Sequence, residues 1–295
     1  MAGFARVAEI TDAQDAGAGT WATWRKSPSQ VTTAGIWFDL SMSPGNPVPQ
    51  YYAAAPLISV AFKAGAATAA NVATDWGIYH GGNVSPKQKI LRETMLLATA
   101  ATGLAMPLIL CDYLLYYPFI DEGTTGEQAL TNAIALPRYT TGAGVQMMAV
   151  SVAGRTGGQS FFVTYTNQDG VAGRISRTVI ENTAAANGGI VTSATATNGA
   201  AGPFIPLQAG DTGVRSVEAV TMLGADVGLF SLVLVKPLAT TMIRGIDAPV
   251  EVDYLKDRGV TAPVIQDEAY LNFLCLPQGT LAATAIHGML RTAWN

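Results

Sequence analysis

Two histidines, two cysteines and three closely spaced carboxylate pairs are the residues from which this chain could build a reactive or metal-binding site. A zinc site needs three or four His, Cys or carboxylate ligands at suitable spacing. Neither H-E-x-x-H nor C-x-x-C occurs. His80 sits in Tyr79-His80-Gly81-Gly82-Asn83, a loop sequence, and is expected to be structural. His287 falls in the final β run on the face opposite Trp294, where an interface or surface role is expected. Cys111 and Cys275 both lie inside apolar runs, Leu-Ile-Leu-Cys and Phe-Leu-Cys-Leu. They read as buried small hydrophobes, with a single bridge between them as the alternative.

Nucleophile and phosphate motifs are equally sparse. A hydrolase elbow requires G-x-S-x-G on a strand–turn–helix. The nearest approach, Ser41-Met42-Ser43-Pro44-Gly45, lacks the first glycine and carries Pro44 directly after the serine. Gly142-Ala143-Gly144 has no third glycine, and Gly154-Arg155-Thr156-Gly157-Gly158 has no following Lys-Ser/Thr, so neither cradles a phosphate. The carboxylate pairs are Asp121-Glu122, Glu251 with Asp253, and Asp267-Glu268. Glu251 and Asp253 share one face of a strand. They could hold a cation or a sugar, but charges on an exposed edge strand also deter aggregation, and that is the expected role. A glycosidase pair distant in sequence would escape this search. No catalytic, cofactor-binding or metal-ligating residue is therefore assigned, and the chain is expected not to be an enzyme.

The composition agrees. Charged residues make up 13% of the 295, against about 25% in ordinary soluble domains. Hydrophobic residues make up 49%, which excludes a disordered chain. A net charge of −4 without a Lys/Arg run argues against phosphate-driven nucleic-acid binding. The first ten residues lack a basic segment followed by an apolar one, so no secretory leader is expected. The Asn83-Val84-Ser85 sequon accordingly carries no glycan expectation. Thr94 to Cys111 is free of charge, but Gly103 and Pro107 interrupt it, so it is not read as a membrane span. A surface so poor in charge suits a part covered by neighbouring subunits.

Residues 1–55 stand apart as an extended aromatic N-terminal arm. They hold Trp21, Trp24, Trp37, Tyr51 and Tyr52, and Pro44, Pro47 and Pro49 keep part of the segment extended. The aromatics must pack either on the chain's own body or on an adjacent subunit. Residues 56–295 form the second unit. One helix is predicted near 86–102. Ser85 and Gln88 make a capping box with Pro86 at the first position, and Ile90, Thr94, Leu97 and Ala101 share a face. Lys87, Lys89 and Arg92 sit awkwardly in the first turns of such a helix, where its dipole disfavours cations.

Beyond residue 106 the period becomes two. Leu108–Phe119, Val145–Val152, Phe161–Thr166 with a return through Arg174–Val179, and Val214–Leu223 paired with Leu229–Val235 read as strands. Phe161, Val163 and Tyr165 share one face of their hairpin. Leu229–Val235, apolar on both faces, reads as a central strand. Tyr270–Leu276 and Leu281–Trp294 close the chain, with Ile286, Leu290 and Trp294 on one face. Asn182–Gly189 and Thr195–Gly199 read as surface turns. The predicted fold is mainly β: an antiparallel β-sandwich or jelly-roll-like domain with one helix and an extended N-terminal arm.

Three segments carry a resemblance: Trp37–Tyr52, Gly77–Pro86 and Gln208–Ser216. In these, and in texture over most of its length, the chain resembles virion structural proteins of tailed bacteriophages. A major capsid protein of that group would show a long spine helix and an extended loop. The β-rich pattern departs from this, so the resemblance implies an auxiliary capsid protein of the decoration or cement type. The expectation is a homo-oligomer, plausibly a trimer, that contacts the major capsid or other virion proteins and is located in the virion. Neither nucleic acid, membrane nor cofactor is an expected partner. The alternatives are the major capsid protein itself, or a tail or fibre receptor-binding module contacting host glycans, with Tyr113, Tyr116 and Tyr117 as candidate aromatics.

Overall fold

The computed structural model describes residues 4–62, 77–193, 202–246, 248–256, 262–282 and 284–295. The Thr195–Gly199 turn lies outside them. In chain order the elements begin with α1 (Val7–Asp15), β1 (Gly19–Lys26), β2 (Phe38–Asp39), β3 (Gly45–Asn46), β4 (Val60–Ala61) and β5 (Lys89–Ala98). Then come β6 (Met106–Asp121), β7 (Gly126–Ala129), β8 (Gln146–Ser151), β9 (Ser160–Asn167), β10 (Arg174–Ile175) and β11 (Val179–Ile180). The chain ends with β12 (Val214–Met222), β13 (Leu229–Ile243), β14 (Val250–Asp253), β15 (Val264–Ile265), β16 (Leu271–Cys275) and β17 (Ile286–Trp294).

These strands form three antiparallel sheets, a mainly-β sandwich as the alternating sequence predicts. The central sheet runs β2-β16-β6-β13-β8, with β4 also on β6. Its long strands β6 and β13 are apolar on both faces because both faces are covered. At the Met106–Leu110 end it packs on the first sheet, β14-β5-β17-β1-β3, through Ile90, Leu96, Trp24 and Leu290. At the Leu114–Ile120 end it packs on the second sheet, β10-β9-β12-β7, through Phe161, Val163, Tyr165, Val217 and Val220. A third core, with Tyr113, Tyr270 and Val233, is closed by Trp37, Met42, Tyr52 and Phe62 of the N-terminal segment.

Three expectations change. Residues 89–98 are strand β5, not part of a helix. Thr94, Leu96 and Ala98 alternate inward, and β17 pairs along one edge while β14 and β15 pair along the other. Non-local ladders on both edges outweigh the local capping signal. They also settle the misplaced cations: Lys89 lies 3.9 Å from Asp267, and Arg92 pairs with Asp253. The α-helix among the described residues is α1, in a segment read as extended. Finally, β12 and β13 do not pair. They lie in different sheets and meet face to face in the second core.

The N-terminal segment packs on its own chain. Strand β1 pairs with β17 along its whole length, and Trp24 is buried and stacked on Phe273 with ring centroids 4.9 Å apart. Trp37 and Tyr52 are also buried, while Trp21 and Tyr51 remain exposed. The Asn182–Gly189 turn is partly buried too, since the Gly188 carbonyl accepts from Asp39 N at 2.8 Å and a Cβ at Gly188 would run into the Phe38 ring.

Candidate functional site

The ionisable residues that could do chemistry are gathered into buried clusters. At the entrance to β2, Asp39 accepts from Ser41 N at 2.8 Å, Ser41 Oγ at 2.7 Å, Tyr113 OH at 2.7 Å and the Tyr52 hydroxyl. Burial pushes both tyrosines well above their ordinary range, and the Asp39 charge adds to it. The neighbouring Lys26 Nζ donates to the carbonyls of Ser41, Ser43 and Pro47 at 3.4, 3.1 and 2.7 Å. Ser43, the serine of the hydrolase-like segment, is fully buried, and its carbonyl serves to anchor Lys26.

His80 is buried, and its Nδ1 faces Lys89 Nζ at 2.8 Å. Burial, reinforced by the Lys89 charge, lowers its pKa to about 3. A neutral ring therefore accepts from the ammonium and bonds the Ala269 backbone. Lys89 also donates to the Gly82 carbonyl. Asp267, one of the sequence carboxylates, accepts from Val84 N and Ser85 N at 2.9 and 3.0 Å and pins the same loop. His287 is half-buried in β17 opposite Arg25, far in register from that cluster. Where the two outer sheets meet the central one, Arg138 grips Asp112 at 2.6 and 2.9 Å.

The densest cluster is at the loop end of the second and central sheets. Glu122 follows β6, Arg155 lies between β8 and β9, Glu181 follows β11, and Asp226 lies between β12 and β13. Arg155 Nε donates to Glu122 at 2.9 Å, and its terminal nitrogens reach Glu181 at 3.1 Å and the Asn182 backbone carbonyl. Asp226 accepts from Val227 N at 2.7 Å and from Thr156 Oγ. The three carboxylates each place an oxygen within 4.8 Å of the others. Burial raises the Glu122 pKa against the pull of Arg155, while burial and the charge of Glu122 push Glu181 up to about 8. Sequence inspection singled out Asp121-Glu122 and separately the Arg155 glycine run, but not their partners. Glu181 and Asp226 are far away in the chain, and no local spacing announces them.

The remaining sequence candidates fall elsewhere. Glu251 and Asp253 lie on β14, an edge strand as expected. Cys111 and Cys275 are free and buried. Tyr113, Tyr116 and Tyr117 are all core residues and offer no exposed aromatic platform. A groove of about 730 Å³ is lined by Trp37, Leu108, Ile109, Met242, Pro249 and Val250. None of the buried clusters opens into it. No helix among the described residues is long and apolar enough to cross a membrane.

The outward face of the second sheet is mixed, with apolar side chains set among Ser, Thr, Glu127 and Glu218. Register places Ser160, Phe162 and Thr164 of β9 on that face. Ile180 stands beside Ser160, Ile175 beside Thr164, and Thr221 beside Phe162. Ile175, Ile180 and Leu223 are 50, 39 and 54% exposed.

No family model and no curated protein matches this chain. Among solved structures it has a distant neighbour in the infectious bursal disease virus VP2 subviral particle. That neighbour is 8% identical over 94% of this chain and 81% of that one, with a TM-score of 0.17. A score so low carries no argument about fold or function.

Proposed function

We propose that the chain is a non-enzymatic structural subunit of a tailed-phage virion, a capsid-associated protein of the decoration or cement type that acts through subunit contacts. The outward face of the second sheet carries this reading: it exposes Ile175, Ile180 and Leu223 and holds Phe162, among Ser and Thr side chains with Glu127 and Glu218 on the same face. A patch of this kind marks a contact surface rather than a free one. Burial of apolar area there would supply roughly 25 cal/mol per Å², with little help from ion pairs in a chain of 13% charge. The three sequence segments that resemble phage virion proteins support the setting, and the use of the buried ionic clusters as internal ties supports a structural role.

Light scattering on the full chain, followed by localisation in intact particles by electron microscopy, tests the reading. The expected result is a symmetric homo-oligomer, with density for the chain on the head. A chain that stays monomeric at high concentration and fails to bind capsids lacking it overturns the proposal. Density in the tail together with hits on a glycan array would favour the receptor-binding alternative instead.

A further inference from the structure

We propose that Glu122, Glu181 and Asp226 hold a divalent cation, Ca²⁺ by the chemistry of the site, which ties three loops together at one end of the sandwich. Three carboxylates converge there around a single guanidinium, so with all three ionised two negative charges would be left without a partner in a largely buried place. Uncompensated buried charge is costly, so a counter-charge belongs there.

A second observation points to where it sits. Glu181 is 2% exposed, and while its Oε2 takes the Arg155 donor, its Oε1 is buried and, with Glu122 ionised, meets no donor among the described residues. Asp226 Oδ2 is in the same condition. The guanidinium thus occupies one side of the carboxylate group, and two acceptor oxygens on the group are left for something else. Both are hard oxygen donors. Ca²⁺ binds such oxygens at roughly 2.3–2.6 Å, so two of its ligands can stand up to about 5 Å apart. One oxygen from each of the three carboxylates lies within 4.8 Å of the others, close enough for a single ion to reach all three. Mg²⁺ demands a strict octahedron at about 2.0–2.1 Å and keeps several waters, whereas a site built from carboxylates on separate loops suits the looser shell of Ca²⁺. Asp226 is only half-buried and gives the ion access from solvent. This inference stands apart from the assembly reading, since neither needs the other.

The full chain, freed of metal with EDTA, is titrated with CaCl2 alone and followed by calorimetry and thermal unfolding. One ion per chain is expected, with a rise in Tm of about 3 °C or more once Ca²⁺ is about 100-fold above its Kd. Glu181→Gln and Asp226→Asn should each weaken binding at least about tenfold, while Glu251→Gln on the exposed edge strand should leave it unchanged. No binding heat and equal Tm in EDTA and CaCl2 overturn the proposal, as does a Glu181→Gln chain that answers Ca²⁺ like the parent. A Glu181→Gln chain more stable than the parent, with neither responding to Ca²⁺, means that a shared proton satisfies the cluster, and this too overturns it. If the variants fail to fold, the parent chain's response decides.

Discussion

At His80, burial and the Lys89 ammonium act in the same direction and keep the ring neutral down to about pH 3. The unfolded chain takes up a proton near pH 6.5, so between those values the unfolded state binds more protons. Stability from this residue is therefore full above the unfolded pKa and is lost as pH falls below it. From pH 7 to pH 5 the loss should be about 2 kcal/mol larger in the parent than in His80→Gln, read from urea unfolding at both pH values. A parallel decline in both chains would contradict the buried, neutral assignment. The Asp112–Arg138 pair makes a second residue-scale case. Asp112 is fully buried, so Arg138→Met strands its charge and should cost about 3–5 kcal/mol by urea denaturation. Asp112→Asn added to Arg138→Met should recover part of that cost, because the charge goes while a carbonyl oxygen remains to accept from Tyr270 N.

At the scale of elements, the junction of β1 and β17 depends on one missing side chain. A Cβ at Gly288 would lie 2.3 Å from the Trp24 indole, so Gly288→Val must displace a ring that is buried and stacked on Phe273. The expected cost is about 3 kcal/mol, and Trp24→Ala should cost about 3–5 kcal/mol. Because both act on the same space, the double variant should lose clearly less than the sum in a double-mutant cycle. Additive losses would mean that the two residues do not share that space. Strand β5 shows why element type is not always legible. Ile90, Thr94 and Leu97 fit a helical period, and Ser85-Pro86 with Gln88 imitates a helix start. The same residues also alternate acceptably, and only the arrival of β17, β14 and β15, more than 150 residues later in the chain, decides between the two. The β9 hairpin and the buried strand β13 were readable because their alternation or continuous apolarity has no competing helical reading.

For the whole molecule, the outward face of the second sheet is where assembly and stability separate. Leu223→Glu adds a charge at a half-exposed position. It should leave Tm within about 2 °C of the parent, since surface substitutions of this kind rarely exceed about 0.5 kcal/mol. The same change should shift the oligomer to smaller species in light scattering, because a charge buried at a contact without a partner is strongly unfavourable. A chain that assembles as before with Glu at 223 would move the contact surface elsewhere. The N-terminal segment teaches the complementary lesson. Its aromatic content correctly signalled a need for burial, but Trp24, Trp37 and Tyr52 meet that need within the chain, and only Trp21 and Tyr51 are left outside.

By itself the sequence determined the β class, the positions of most strands, the burial of both cysteines and the edge placement of Glu251 and Asp253. Each of these follows from local alternation or from the company a residue keeps along the chain. The tertiary structure decided what no local pattern holds: which strands pair, that residues 89–98 are a strand, and that Glu122, Arg155, Glu181 and Asp226 meet at all. Those four residues come from four different loops spread over more than 100 positions. A cluster of that kind exists only when the sheets stack, because it is the stacking that brings their loop ends together and removes the water that would otherwise keep the charges apart.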